Sequence, residues 1–557
     1  MKPINRFDVA TTIEISDDEI KGRWSKYRAE LRSISNSPFY KIARSALGES
    51  TRREKFARSI FTATRKLLTL RRTQTPTETE LRFPSNFYFH APSDLHETTD
   101  NHDVEIVIVD ENQDSSNEVV EKLNRIISIS TKKWLFIADK TFSQVEIRLT
   151  LQSLLRIAEH DSEVVFADEL GDNSLQPILK TSAVGPHTLL SYNSIGRPTL
   201  IDLKLIQKLG GFSKNAGWAF EHDMYLRLNE WKAKFQHVPK VLPAGRPNIS
   251  FSSEHINTSS CDVVKKALVR RNLNAKVRAG EIAGQVNWDV STSGNQPTVE
   301  ILIPTRDRVD ILSKCIESVE KLTSYRNYQI TILDNDSIEQ KTLQYFSETS
   351  HRVISCPGEF NYSKIINTGV KNSTADYILT LNNDTILETS NWLEQLVGLC
   401  SLSDVGIVGT KQINGSRISE HEGISISPYP QHLKSHINYL ASDLFINSIR
   451  DSSAVTGAVQ LVEREFWNEL GGLDEQLKVV MNDVDLCLRS LSAGKYVVYT
   501  PNVVFQHFAQ STRKNLDPIE DQNIFIRRWD IFGTFRDQFF PESLNLLGKS
   551  IVYKIDR

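Results

Sequence analysis

Three apolar runs in the C-terminal half each end in residues that can bind ligands or do chemistry. Val299–Ile303 runs into Pro304-Thr305-Arg306-Asp307, Ile330–Leu333 into Asp334-Asn335-Asp336-Ser337, and Tyr377–Leu381 into Asn382-Asn383-Asp384. Carboxylates, amides, a hydroxyl and a guanidinium in one place suit a charged, hydroxyl-rich ligand bound with a divalent cation better than an apolar one. The segments between the runs read as helices, so the runs are expected to be buried parallel strands. The carboxyl ends of such strands line the ligand crevice of an open α/β sheet.

The chain that must position these ends has 557 residues, which predicts two or three domains with ordinary charged and apolar fractions. Five cysteines (Cys261, Cys315, Cys356, Cys400, Cys487) lack the paired spacing of a disulfide framework or a cysteine zinc site. No apolar stretch reaches bilayer-spanning length and the first residues carry no apolar signal core. A cytoplasmic protein, with any membrane contact peripheral to the inner face, is expected.

Between Lys21 and Arg72 stand 15 Lys or Arg against three acids. Phe56, Ile60, Ala63 and Leu67 recur there at helical spacing, giving a basic amphipathic helix. Two readings stay open for it: contact with an anionic membrane surface, or an apolar stripe docked on the protein with its basic face solvated. Nucleic acid is not expected, since the arm lacks interleaved aromatic platforms. Thr73–Thr79 and Asp289–Thr298 read as linkers. The resulting division is a basic helical arm and linker (1–79), a first body with its connector (80–290), a second body (298–515) and a C-terminal helical extension (516–557).

The two bodies resemble each other. Leu205–Phe212, ending in Gly210-Gly211-Phe212, parallels Glu465–Leu473, ending in Gly471-Gly472-Leu473. Asp223-x-x-x-Arg227 parallels Asp485-x-x-x-Arg489 at nearly the same distance from the glycines. Glu105–Asp110 matches Gln329–Asp334, and Trp134–Ile137 matches Tyr377–Thr380. On that alignment Asp139-Lys140-Thr141 faces Asn382-Asn383-Asp384, and Leu242-Pro243-Ala244 faces Phe505-Gln506-His507. The first body is therefore expected to be a degenerate copy and the second the active one.

The ordered set from Val299 to Lys514 resembles the inverting family 2 glycosyltransferases of the GT-A fold, in particular the bacterial rhamnosyltransferase-like enzymes that build surface polysaccharides such as O-antigen. The motifs carrying the likeness are the three strand ends above, Phe360–Ser363, Val455–Ala458, Gly471–Glu475, Asn482–Asp485 and His507. A looser likeness extends through the first body, so the fold implied is a tandem of GT-A domains, the first degenerate. The resemblance implies sugar transfer, rhamnose among the candidates, from a dTDP- or UDP-linked donor to a growing glycan or lipid-linked acceptor.

It also implies roles. Asp384 and His507 hold Mn²⁺ or Mg²⁺, which neutralises the leaving diphosphate. Asp483, at the start of a helix running to Ala493, is the general base, and the positive end of that helix favours its anionic form. Asp485, four residues before Arg489, suits an ion pair instead. Thr305, Arg306, Asp334, Asn335, Ser337, Asn361, Asn367, Asn382 and Asn383 are expected around the donor nucleotide. Gly457, Asp474 and Glu475 are expected on the acceptor side. Two other readings compete: a non-catalytic glycan-binding or scaffold protein, and a nucleotidyltransferase. The latter wants a glycine-rich phosphate loop that Pro304–Asp307 lacks.

Overall fold

The computed structural model describes residues 103–553, apart from 110–114, 141, 159–160, 171–176, 244–252, 291–295, 428, 435–442, 509–517, 543 and 548–549. The basic arm and its linker lie outside the described residues, which all fall in one compact unit. The strands are β1 (Val104–Val109), β2 (Trp134–Asp139), β3 (Val164–Leu170), β4 (Pro177–Ile178), β5 (Thr199–Asp202), β6 (Phe235–Pro243), β7 (Ala275–Ala279), β8 (Val286–Val290), β9 (Val299–Thr305), β10 (Tyr328–Asp334), β11 (Arg352–Ser355) and β12 (Tyr377–Leu381). They continue as β13 (Thr385–Leu387), β14 (Val405–Ile413), β15 (Ser419–His421), β16 (Ile424–Ile426), β17 (Pro430–His432), β18 (Arg450–Asp451), β19 (Val459–Glu463) and β20 (Tyr496–His507).

The helices that position the site are α1 (Ser116–Ile129), α2 (Gln144–Ile157), α3 (Pro186–Ser191), α4 (Leu203–Lys208), α5 (Phe220–Glu230), α6 (Ser253–Arg270), α7 (Val309–Leu322), α8 (Gln340–Glu348) and α9 (Tyr362–Lys371). They are followed by α10 (Trp392–Cys400), α11 (Asp443–Asn447), α12 (Arg464–Glu469), α13 (Asn482–Ser492) and α14 (Ile519–Trp529). Local sequence explains several of them. Ser115 with Glu118 and Ser143 with Glu146 form capping boxes that start α1 and α2. In α7, Leu312, Cys315, Ile316 and Val319 fall on one buried face at helical spacing.

The larger sheet runs β11-β10-β9-β12-β19-β14-β20-β13. Its strands β9, β10 and β12 are parallel neighbours, with Asp334 opposite Thr305 and Tyr377 opposite Val299. All three expected strands form where the apolar runs predict, and β9 is almost wholly buried. Glu300, the second residue of β9, is buried too, and its carboxylate is satisfied by Gln329, Thr331 and Ser373. The smaller sheet runs β1-β2-β5-β3, with β4 and β6 on β3. Its path β2-β5-β3-β6 has the same strand senses as β12-β19-β14-β20. Beside β2, β1 therefore takes the place that β9 holds beside β12, and not that of β10, with which the sequence alignment pairs it. A second departure concerns the 289–298 linker, whose first two residues belong to β8. That strand pairs with β7 and buries Trp288 completely.

The two sheets meet at a buried carboxylate. Asp451 on β18 accepts hydrogen bonds from the backbone N–H groups of His187 and Thr188 at 3.0 Å each and from the Thr188 hydroxyl at 3.0 Å, and it lies 2.6 Å from His187 Nδ1. It thus satisfies the first free N–H groups of α3. Gly185 is required there, because a Cβ would sit 2.1 Å from the carboxylate. Burial alone would push the His187 imidazole down, but Asp451 and Asp404 outweigh it and raise its pKa to about 9.

Because that value is raised, the stability contributed by charged His187 is complete below its ordinary value of 6.5 and is lost as pH climbs through about 9. The thermal midpoint of the wild type is expected to fall across this window. A His187→Gln variant, lacking the titrating group, should show a flatter profile in the same pH series.

Candidate active site

Strand pairing brings the expected metal ligands together. β13 runs antiparallel to β20 with Thr385 opposite His507, which sets Asp384 beside the histidine. Asp384 Oδ1 is 3.3 Å from His507 Nε2, and Phe508 N–H donates to the Asp384 carbonyl at 3.0 Å. Both side chains are largely buried. An oxygen and an imidazole nitrogen at this separation fit two ligands of one Mn²⁺ or Mg²⁺ ion. Among the described residues, no group of three or more His, Cys, Asp or Glu could hold a metal. Such a pair would leave the rest of a cation's shell to substrate phosphates and water.

Next to this pair, Asn383 Nδ2 donates to Thr305 Oγ1 at 2.9 Å, tying the end of β12 to the end of β9. Arg306 is exposed at the same edge. Asp334 accepts Ser337 N–H at 3.0 Å, and the Ser337 hydroxyl accepts Asp307 N–H at 2.7 Å. Asp307 in turn accepts from Ile338 and Glu339 N–H at 2.8 Å each, at the start of α8. The cluster is a braced set of turns, with Thr305, Arg306, Asp334, Asn382 and Asn383 around it.

Three amides expected at the nucleotide bond neighbouring loops. Asn335 is buried and donates to the carbonyls of Cys356 and Gly358. Asn361 caps α9 by accepting Lys364 N–H at 3.0 Å and donates to the Glu475 carbonyl at 2.9 Å. Asn367 clasps Leu473, accepting its N–H at 3.0 Å and donating to its carbonyl at 2.8 Å, with a further bond to the Glu475 side chain at 3.2 Å. These amide bonds hold the loops at 356–358 and 473–475. The Gly472 backbone has φ 73°, and a Cβ there would meet Asn367 at 2.7 Å, so this turn and its clasp require glycine.

Asp483 lies in the first turn of α13, which starts one residue earlier than the sequence predicts, at Asn482. Its carboxylate accepts Gly457 N–H at 2.8 Å and Val484 N–H at 2.8 Å. Gly457 is itself fixed, since its carbonyl accepts from Thr380 at 2.8 Å and Tyr362 at 3.1 Å. Asp485 is fully buried and pairs with Arg489 at 2.8 Å, as its spacing predicts. Asp474 pairs with Arg528; burial would raise its pKa, but this contact holds it below the usual carboxylate value. It is therefore part of the loop's own bracing, with Glu475 beside it. Together with Trp467, Arg489 and Lys371 these residues line a cavity of about 600 Å³.

Sequence reasoning missed His421. It is completely buried, and its Nε2 accepts from Gly423 and Thr456 N–H at 3.3 and 3.4 Å, supporting the turn that presents Gly457. Burial, then neighbouring His432, hold its pKa well below the ordinary histidine value, which keeps the accepting nitrogen unprotonated. No spacing signal marks it, because Thr456, the partner that ties it to the Gly457 turn, lies 35 residues away.

Residues 300–443 match the glycosyl transferase family 2 model. This segment is a family 2 glycosyltransferase domain. The chain is 25% identical over 413 residues to the O-antigen biosynthesis protein RfbC of Myxococcus xanthus, covering 70% of this chain and 31% of that protein. It is 21% identical over 239 residues to the O-antigen chain rhamnosyltransferase WbaN of Salmonella anatum, covering 41% of this chain and 72% of that one. The chain thus spans about a third of the first relative's length. Among solved structures it has a looser likeness to GalNAc-T7 with UDP, GalNAc and Mn²⁺, at 16% identity and TM-score 0.36, covering 45% of this chain and 51% of that one.

Replacing Asn367 with alanine removes both bonds to Leu473 from a buried position. The expected loss is about 2 kcal/mol of unfolding free energy in urea titration, from two buried backbone groups left unpaired. Nucleotide affinity measured by calorimetry should not change, which separates a loop clasp from a base-reading amide.

Proposed function

We propose that the protein is a metal-dependent, inverting glycosyltransferase of GT-A type whose larger sheet carries the site and whose smaller sheet belongs to a non-catalytic copy. The observation that carries this reading is the meeting of Asp384 with His507 at the strand ends, together with an oriented carboxylate, Asp483, on the neighbouring helix start. When bound there, a divalent cation neutralises the diphosphate as it leaves. Thr305, Arg306 and Asp334 face the donor nucleotide, with Asn382 and Asn383 completing the edge. Asp483 takes the proton of the acceptor hydroxyl as that oxygen bonds to the anomeric carbon and the bond to the diphosphate breaks on the opposite face. A single displacement of this kind inverts the anomeric centre.

Matching contacts support the duplication. Arg227 bonds Asp223 and the Leu209 carbonyl, as Arg489 bonds Asp485 and the Leu470 carbonyl. Asn124 clasps Phe212 through N–H and carbonyl, as Asn367 clasps Leu473. At the position of Asp483 the first body has Glu221, and its partner is the side chain of Arg197 at 2.9 Å instead of a glycine N–H. The nearly buried guanidinium of Arg197 engages this carboxylate, which supports a non-catalytic first body.

A dTDP- or UDP-linked sugar, with rhamnose a candidate, is the proposed donor, and a cell-surface glycan or its lipid-linked precursor the proposed acceptor. The O-antigen names of the relatives support this class. No helix among the described residues is long and apolar enough to cross a membrane, and the basic arm is the proposed peripheral contact.

Calorimetry with UDP and dTDP, with and without Mn²⁺, tests the donor site. Metal-dependent binding is expected in the wild type and should be lost in Asp384→Ala; glycan binding without nucleotide or metal would favour a scaffold. Asp483→Asn should retain nucleotide binding and lose transfer by roughly 100-fold or more, the usual scale for a general base. Normal turnover in that variant would remove Asp483 from the role.

A further inference from the structure

The loop that leads into α13 is held by α9 through Asn361, Ser363 and Asn367, and also by α14, which lies outside the segment matched to the family model. Asp521, nearly fully buried on α14, accepts Val479 N–H at 2.7 Å and Val480 N–H at 3.0 Å through one carboxylate oxygen. The next residue, Met481, has φ 65°, a left-handed conformation that a side chain adopts only when its neighbours impose it. Asn482 and Asp483 follow directly. On the same face of α14, Arg528 reaches both Asp474 and Asp485, the latter at 2.7 Å, and Trp529 Nε1 donates to Asp485 at 3.0 Å. Phe525 and Ile526 anchor the helix in the core. One helix therefore grips the 474–485 stretch at three points, and Asp483 lies between the last two.

The smaller sheet separates what is general from what is particular in this arrangement. Its α6 packs on the segment before α5 and brings Arg270 to within 3.8 Å of Asp223, as Arg528 reaches Asp485. Aligning Arg270 with Arg528 sets the buried pair Ala267 and Leu268 on Phe525 and Ile526, and sets the fully buried Val263 on Asp521. The arginine brace is common to both bodies. The carboxylate that pins the backbone before the base is present only where the site is intact.

We infer that Asp521 is a positioning residue: it fixes the backbone of Val479 and Val480 so that Met481 turns and Asp483 meets the acceptor hydroxyl. This rests on the reading of Asp483 as the base. A base displaced by about 1 Å costs on the order of 10² in rate while leaving substrate affinity largely intact. Binding of the donor depends on the strand ends, which Asp521 does not touch.

The test compares Asp521→Val, which copies the residue at the matching position, with Asp521→Asn, whose amide oxygen can still accept both N–H groups. Amide exchange of Val479 and Val480 and steady-state transfer are measured in each. Asp521→Val should exchange faster at both amides and lose kcat by roughly 10- to 100-fold, with donor KM unchanged. Asp521→Asn should keep its protection and most of its kcat. Unchanged exchange in Asp521→Val, or faster exchange with wild-type kcat, would overturn the inference, as would a loss confined to donor KM. If Asp521→Val does not fold, an Asp521→Asn variant that keeps its protection but loses kcat as severely would also overturn it. A wild type that transfers no sugar from any UDP or dTDP donor would refute the enzymatic reading, while the exchange data would still decide whether Asp521 pins the loop.

Discussion

The site depends on the register of three parallel strands. With Asp334 opposite Thr305 and β12 in step with β9, the polar residues that follow each apolar run emerge at one edge of the sheet. A slip of one residue in any of them would turn its buried side chains toward the opposite face and carry its polar end out of the cluster. The apolar content of the strands enforces the register, and the Asn383 to Thr305 bond locks its end. The same sheet then supplies His507 from its far side. β20 pairs in parallel with β14 along its length and in antiparallel with β13 at its end, so the histidine arrives next to Asp384 although more than a hundred residues separate them.

Beyond the strand ends, the site is assembled from backbone turns fixed by buried side chains. The path from the sheet junction to Asp483 can be followed residue by residue. Asp451 is held by α3; Ser452 N–H bonds the Val497 carbonyl; Ile424 N–H bonds the Ala454 carbonyl; Thr456 N–H reaches His421; Gly457 N–H reaches Asp483. Every step is a hydrogen bond whose loss would leave a buried group unpaired. Through Asp451, the smaller sheet is a structural part of the segment that presents Gly457.

Much of this was legible in the sequence, and the limits are physical. Buried parallel strands show as continuous apolar runs, and the Asp485 to Arg489 pair shows as a four-residue spacing on one helix, because both patterns are local. The strand-end residues Thr305, Asn383 and Asp384 are visible for the same reason. The amides of Asn335, Asn361 and Asn367, expected near the nucleotide, also hold the loops at 356–358 and 473–475, a role the sequence did not show, since an asparagine looks the same whether it faces a ligand or a carbonyl. The first residues of the 289–298 segment were read as linker because pairing with β7, not local apolar content, makes them a strand. His421 and Arg197 gave no signal at all, as their roles come from contacts across folds of the chain.

The carboxylates near α13 show how partners sort residues of one chemical type into different roles. Asp485 is enclosed by Arg489, Arg528 and Trp529, and Asp474 is paired with Arg528, so fixed guanidinium partners hold both. Asp483 is instead oriented by backbone N–H groups of Gly457 and Val484, which aim its oxygens. Glu221 stands at the matching position of the smaller sheet with Arg197 in the glycine's place. A guanidinium holds the acid on the smaller sheet where a glycine N–H holds it on the larger one. The difference between the two bodies lies less in which acid is present than in what holds it.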